Sequence, residues 1–211
     1  MRQIHKQAEP RELRAHRLAG GGFEDPQGES RWKERLQEAL LRDQGAICCY
    51  CMRRIHRESM KVEHHRCQER HPERALDYDN LFGACPGNPG QPWTRQTCDS
   101  RKGNADLTLI PSGNIEPFLR YLADGTITSD NPDYQRDLDV TLNLNVAELT
   151  RARRSVQTGL IAALHRRMPG EWKTATLQAE LERWQQRDAH GNYHEYCQVA
   201  AHLLRRRLRR A

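Results

Sequence analysis

Apolar residues recur at helical spacing once near the N-terminus and again over the last third of the chain, with a long aperiodic stretch between. Trp32, Leu36, Ala39 and Leu40 mark one face of a helix that Ser30 would cap and Gly45 would end. Ahead of it, Gly20-Gly21-Gly22 and Asp25-Pro26-Gln27-Gly28 predict a flexible connection after a short polar arm. Ala46 to Asn104 is rich in Cys, His, Pro and Gly and has little periodicity, which predicts loops held by ligands rather than a conventional core. Phe118, Tyr121 and Leu122 then precede Asp124-Gly125 and Thr126-Ile127-Thr128, a hairpin signal. Val146, Leu149, Val156, Leu160, Ala163 and Leu164 form the stripe of a helix closed by Met168-Pro169-Gly170. Two more helices are expected near Thr174–Arg187 and Tyr193–Arg209, split by His190-Gly191-Asn192, and no internal repeat is evident. The pattern divides the chain into an N-terminal arm and linker (1–29), a central module (30–110), and a hairpin with a mainly helical C-terminal region (111–211).

Composition limits how such a chain can be held together. At 211 residues, a hydrophobic fraction of 36% and a mean hydropathy of −0.94 allow a core, but not a rich one. A small module in this setting gains from a metal staple, because short segments bury too little surface to offset their ordering entropy. There is no apolar run of about 18 residues that would suggest a membrane span. The opening Met1-Arg2-Gln3-Ile4-His5-Lys6 lacks the apolar stretch of a secretory signal, so a cytoplasmic protein is expected. The net charge of +6 is uneven: from Val146 onward there are 13 Lys and Arg against 6 Asp and Glu, while the rest carries 21 against 22. A basic C-terminal third ending Arg205-Arg206-Arg207-Leu208-Arg209-Arg210 suits a polyanionic partner. It is equally the composition of a solvated helix end with cations near its C-terminus.

Seven cysteines in a chain read as cytoplasmic point to metal rather than disulfides. Cys48 and Cys51 form a CxxC pair, a spacing that lets two thiolates on one turn reach one ion. Cys85 and Cys98, flanking the Gly/Pro-rich loop Pro86–Pro92, are the candidates for a second pair and a four-cysteine zinc site. Their separation is wider than CxxC, and Cys49 or Cys67 is placed to substitute. The plainer alternative is that these cysteines are buried as small hydrophobes.

Three segments between and after these cysteines carry candidate chemistry: Lys61-Val62-Glu63-His64-His65, Tyr78-Asp79-Asn80-Leu81, and Cys98-Asp99-Ser100-Arg101-Lys102-Gly103-Asn104. Phosphodiester hydrolysis needs an activated water, a cation against developing negative charge, and fixed geometry. A neutral histidine accepts a proton from water near neutral pH. Oxygen ligands such as Glu63 and Asp99 suit Mg²⁺ or Mn²⁺, and Arg101 and Lys102 are placed to meet backbone phosphates. His65 competes with His64 as base or ligand, whereas His56 and His71 fit exposed turns.

At these residues the chain resembles the HNH family of ββα-metal endonucleases. The resemblance runs from Ala46 to Asn104: acidic residue then His, then Asn-Leu, then a residue directly after the last zinc cysteine, followed by Lys-Gly. It implies an α+β fold, a zinc-stapled ββα-metal module over 30–110 with a mainly α-helical C-terminal extension. It also implies Glu63 as a ligand of the catalytic cation, His64 as general base and Asn80 as the residue orienting the histidine loop. Asp99 falls where the family commonly has Asn or His; it keeps an oxygen ligand but adds a negative charge.

A narrower resemblance extends over most of the length. It rests on Ile4-His5-Lys6, Glu9-Pro10, Trp32, Gln44–Cys51, Val62-Glu63-His64, Lys102-Gly103-Asn104, Tyr121–Gly125 and Leu142–Asn145. These are similar to the HNH nuclease subunit of Septu-type anti-phage systems, also found with some retrons. The resemblance implies an SMC/ABC-like ATPase partner and a DNA target, with RNA as the alternative substrate. Two rival readings lack catalysis: a zinc-stabilised nucleic-acid-binding module, and a subunit that docks a partner. Neither needs Glu63, His64 and Asp99 together.

Overall fold

Helix α2 (Arg31–Gln44) buries Trp32, Leu36, Ala39 and Leu40, the stripe expected of it, and ends at Gly45, whose φ of +60° suits a residue without a Cβ. The structure is a computed structural model that describes residues 1–24 and 31–210. The expected cap at Ser30 and the turn at 25–28 lie outside the described residues. Helices dominate, with two small antiparallel sheets. Among the described residues no helix is long and apolar enough to cross a membrane.

The N-terminal segment, read from sequence as a polar arm, is instead part of the core. Residues 11–18 form helix α1, which packs on α2 through Leu13. Met1, Ile4 and Leu13 are buried, and the Ile4 amide donates to Pro111 O at 2.9 Å. The Met1 amino group meets the Tyr121 hydroxyl, and the Gln7 amide donates to Asp43 Oδ2 at 2.9 Å. Its buried apolar anchors among the described residues, Met1, Ile4 and Leu13, are spaced too irregularly to leave a periodic signal.

The aperiodic stretch contains two strands, β1 (Lys61–His64) and β2 (Leu81–Ala84). They pair antiparallel, with Glu63 opposite Phe82 and His64 opposite Leu81. All of β2 is buried, so its run Leu-Phe-Gly-Ala shows no alternation. Gln44 ties this sheet to α2. Its side-chain Nε2 donates to Ile47 O at 2.9 Å and Gly83 O at 2.7 Å, and its Oε1 accepts from the Gly83 amide at 2.6 Å. Beyond β2, the short helix α3 (Cys98–Lys102) follows the last of the clustered cysteines' loop.

The hairpin is where the Asp-Gly signal puts it: β3 (Leu119–Tyr121) pairs with β4 (Ile127–Ser129). Gly125 has φ +90°, and a Cβ there would lie 2.0 Å from Thr150 O, so only glycine lets the turn press on the next helix. A short helix, α4 (Pro132–Arg136), capped by Asn131, runs into a π-helical turn over Asp137–Thr141. Helix α5 (Ala147–Arg167) buries Leu149, Leu160 and Leu164 as expected, but also Arg153 and Gln157. Arg153 is satisfied by main chain: Nε donates to Gly125 O at 2.5 Å and an Nη to Leu144 O at 2.8 Å. The stripe is thus continuous in space but broken in polarity.

Helices α6 (Thr174–Gln185) and α7 (Cys197–Leu208) pack together and on α5 around Leu160, Leu164, Leu177, Leu181 and Leu204. Helix α7 starts four residues later than its periodicity predicts. Residues 193–196 are bound to the cysteine-bearing loop instead: the Tyr193 amide donates to Gly45 O at 2.9 Å and the Tyr196 amide to Met52 O at 3.2 Å. Tyr196 takes a left-handed φ of 54° to make the change of direction.

Candidate metal and catalytic site

Cys48, Cys51, Cys85 and Cys98 converge. All four are buried, and their sulfurs lie within 4.8 Å of one another. Local turns explain the first pair. The Cys48 amide donates to Arg53 O at 2.8 Å, the Met52 amide to Cys48 O at 3.1 Å, and Met52 adopts φ 65°, which folds the CxxC back on itself. The wide spacing of the second pair is bridged at its base. Gly87 O accepts from the Thr97 amide at 2.9 Å, so residues 88–96 loop out while Cys85 and Cys98 stay close. A Cβ at Gly87 would fall 1.7 Å from Thr97 O, so this closure requires glycine. Asn143 holds the excursion from outside, donating to Thr94 O at 3.0 Å and Gln96 O at 2.8 Å.

This cluster fits a metal ion such as zinc. Tetrahedral Zn–S bonds of about 2.3 Å place sulfurs about 3.8 Å apart, and Cys51 Sγ and Cys85 Sγ are 3.6 Å apart. All seven cysteines are free. Burial opposes ionisation of Cys48, yet the surrounding thiols of Cys49, Cys51, Cys85 and Cys98 outweigh it and hold its pKa well below the ordinary thiol range. Its neighbours push the Cys98 thiol well above that range, and burial adds to the effect. Within the cluster three thiols crowd around one thiolate, and a cation among them would stabilise the group and let all four ionise. Cys49 is buried outside the cluster, Cys67 accepts from Arg70 Nε at 3.4 Å, and Cys197 lies in the core.

Next to the cluster, β1 carries Glu63 and His64, and α3 carries Asp99 and Lys102. Successive strand residues project to opposite sides, so Glu63 and His64 have different partners. Glu63 is enclosed with Lys102: Oε1 lies 2.8 Å from Lys102 Nζ and accepts from the Tyr50 hydroxyl at 3.0 Å. The Asp99 carboxyl is within hydrogen-bonding reach of Glu63. Burial pushes the Glu63 pKa up to about 8 against the pull of Lys102, and Asp99 adds to the rise. Two carboxyl groups so close offer an oxygen donor set that suits a hard divalent cation, whose charge would oppose the rise in the Glu63 pKa.

The His64 ring touches neither carboxyl group. Its Nε2 faces Ala75 O at 3.0 Å, and its Nδ1 faces Gln68 Nε2 at 3.2 Å. A carbonyl only accepts and an amide nitrogen only donates, so Nε2 holds the ring proton and Nδ1 presents its lone pair. The ring of Phe23 stands edge-on at 4.4 Å. Burial lowers the His64 pKa; the Ala75 hydrogen bond opposes this, and Lys102 adds to the lowering. His65 is 5% exposed and has no hydrogen-bond partner on either ring nitrogen among the described residues. Burial first, then Arg66 and Lys102, take its pKa down to about 4.

Asn80 is 1% exposed and clamps the loop that follows His64. Its Oδ1 accepts from the Arg66 amide at 2.7 Å, and its Nδ2 donates to Arg66 O at 3.0 Å and Arg74 O at 3.1 Å. The two basic residues do not sit as expected. Lys102 is 3% exposed, and its ammonium is committed to Glu63 and to His64 O, so it does not offer a surface charge to phosphate. Arg101 is at the surface, but its guanidinium is held by Val140 O at 3.0 Å and Trp93 O at 2.6 Å and lies 4.0 Å from the centre of the Trp93 ring.

Sequence reasoning missed Tyr50, Gln68 and the structural use of Lys102. Tyr50 lies inside the CxxC, a position that hints at proximity to the site; Gln68 carries no such signal. The chain matches no family model, and no curated protein matches it.

Proposed function

We propose that this chain is an HNH-type, metal-dependent endonuclease that hydrolyses phosphodiester bonds, DNA being the expected substrate and RNA the alternative. The observation that carries the reading is the meeting of Glu63 with Asp99 beside the four-cysteine cluster. The His64 ring projects from the other side of the strand, so on this reading the scissile phosphate bridges the two sides at the strand's end, where His64 lies. Zinc on Cys48, Cys51, Cys85 and Cys98 would staple β2 and α3 to the loop before β1. A divalent cation such as Mg²⁺ or Mn²⁺ held by Glu63 and Asp99 would stabilise negative charge on the scissile phosphate.

The chain's own residues have separable roles in this reading. His64 presents Nδ1 as the base: a water that replaces the Gln68 amide there gives up its proton to that lone pair. Ala75 O fixes the tautomer through Nε2, and the lowered pKa keeps the ring unprotonated and ready to accept. Asn80 holds the 64–66 backbone so that the ring cannot swing away. Lys102 offsets the buried charge of Glu63 and ties it to the His64 main chain. The sequence resemblance adds an anti-phage setting and an SMC/ABC-like ATPase partner, which co-purification with a co-encoded ATPase would test.

The test is cleavage of plasmid DNA and of RNA by the purified chain, alone and with that ATPase, in Mg²⁺ or Mn²⁺. His64→Ala is expected to abolish cutting while zinc content and folding persist. Cutting that survives both this substitution and omission of the divalent cation removes the reading. Nucleic-acid binding without cutting under every condition favours the zinc-stabilised binding module.

A further inference from the structure

Helices α5 and α7 enclose a groove of about 350 Å³ whose walls carry Arg154 from one side and Arg206, Arg207 and Arg210 from the other. Ile161 and Leu203 supply apolar floor, and none of the described residues lining the groove is acidic. Among the described residues these four arginines make no ion pair, whereas nearby Arg205 and Arg120 do, with Glu116 and Asp130. His202 in the groove registers the concentration of charge: burial first, then Arg206, Arg209 and Arg205, bring its pKa down to about 4.

Arginines kept for folding are held by carboxylates or, like Arg153, by main-chain carbonyls, and among the described residues these four have neither, although like charges in one groove repel. Guanidinium groups with free forks match phosphate oxygens and bind them in bidentate fashion. Arg207 also lies 5.1 Å from the centre of the Trp172 ring, a contact with its flat face that leaves its N–H edge free. Four such groups on facing walls exceed what one phosphodiester needs and suit consecutive phosphates along a strand. We propose that this groove binds the phosphate backbone of a nucleic acid, as a contact additional to the Glu63–Asp99 site. The proposal rests on the endonuclease reading only for the identity of the polyanion, since the groove's charge stands independently of it.

The test uses the full chain carrying His64→Ala, without added divalent cation, and a short fluorescent DNA duplex whose binding is followed by anisotropy across a salt series. Arg206→Gln with Arg210→Gln is expected to weaken binding about ten-fold at moderate salt and to flatten the dependence of log affinity on log salt by about 2. The control pair Arg11→Gln with Arg14→Gln, on the exposed side of α1, removes the same charge and is expected to leave affinity and slope nearly unchanged. Equal losses in the two double variants overturn the proposal, as does unchanged binding in the groove variant. Displacement of the duplex by stoichiometric pyrophosphate would make the groove a small-anion pocket and overturns it too. Loss of affinity for an acidic polypeptide such as polyglutamate, with DNA binding retained, would assign the groove to protein docking and has the same effect. If the unsubstituted chain never cuts yet the groove variant loses binding as described, the endonuclease reading fails and the groove assignment stands.

Discussion

The Lys102 ammonium lies 2.8 Å from Glu63 Oε1 and donates a 2.9 Å hydrogen bond to His64 O. One cation on α3 thus offsets the carboxyl group of one β1 residue and pins the main chain of the next. Both side chains are almost wholly enclosed, so water cannot substitute for either partner. Lys102→Met is expected to lower stability by about 3–5 kcal/mol once the pH exceeds the Glu63 pKa of about 8, the usual cost of leaving one member of a buried pair alone, and by less at neutral pH, where a proton neutralises the carboxylate. Added Mg²⁺ should restore part of this loss by taking the place of the missing charge. Denaturant titrations with and without Mg²⁺ measure both effects; an unchanged midpoint in the variant would mean that the pair is not as the distances describe.

Metal at the four cysteines should be stoichiometric and structural. Cys48→Ser is expected to lower bound zinc and to expose the 46–55 and 85–98 segments to proteolysis, while Cys49→Ser and Cys67→Ser, outside the cluster, keep their zinc. Gly87→Ala should mimic Cys48→Ser although it touches no ligand, because its Cβ would collide with Thr97 O. Metal analysis of the purified variants decides; full zinc in Cys48→Ser contradicts the ligand set.

Asn80→Ala removes three hydrogen bonds to the loop after His64 and leaves buried main-chain groups unpaired. The expected loss is about 2–4 kcal/mol, since unsatisfied buried groups cost more than the bonds themselves contribute. On the endonuclease reading, kcat should fall more than affinity for nucleic acid, because the loop positions the base rather than the substrate. A variant with full stability and full activity would deny Asn80 that role.

Acid should weaken the fold partly through His65. Its folded pKa of about 4 lies below the ordinary histidine value of 6.5, so the folded state keeps the ring neutral while the unfolded chain takes up a proton. The contribution is therefore fully present above the unfolded pKa and is lost as pH falls from 6.5 toward 4. His65→Met should flatten this limb and gain roughly 2 kcal/mol relative to the parent chain at pH 5 compared with pH 7.5. Parallel stability curves for the two proteins between those pH values would rule this out.

Much of this was legible along the chain because it depends on local periodicity or turn chemistry. The α2 stripe ended by Gly45, the Asp124-Gly125 hairpin and the body of α5 are such cases. Cys48 and Cys51 were legible too, since CxxC spacing is itself a geometric constraint, whereas Cys85 and Cys98 could only be named as candidates, because the Gly87–Thr97 contact that brings them together has no such spacing. Other features have no local signature. The N-terminal segment joins the core through three side chains, and β2 is buried on both faces and so does not alternate. Lys102 reads as a surface cation beside Arg101 until α3 is seen packed against β1.

Sequence alone determined which residue types were present for metal, proton and phosphate chemistry, and the local turns that carry them. Only the tertiary structure decided which of them meet: that Glu63 faces Asp99, Lys102 and Tyr50, that the His64 ring turns to Ala75 and Gln68, and that four arginines share a groove with no ion-pair partner among the described residues. The physical reason is range. Turn preferences and helical periodicity act over a few residues, whereas burial, charge pairing and pKa depend on neighbours that the chain brings together from tens of positions away.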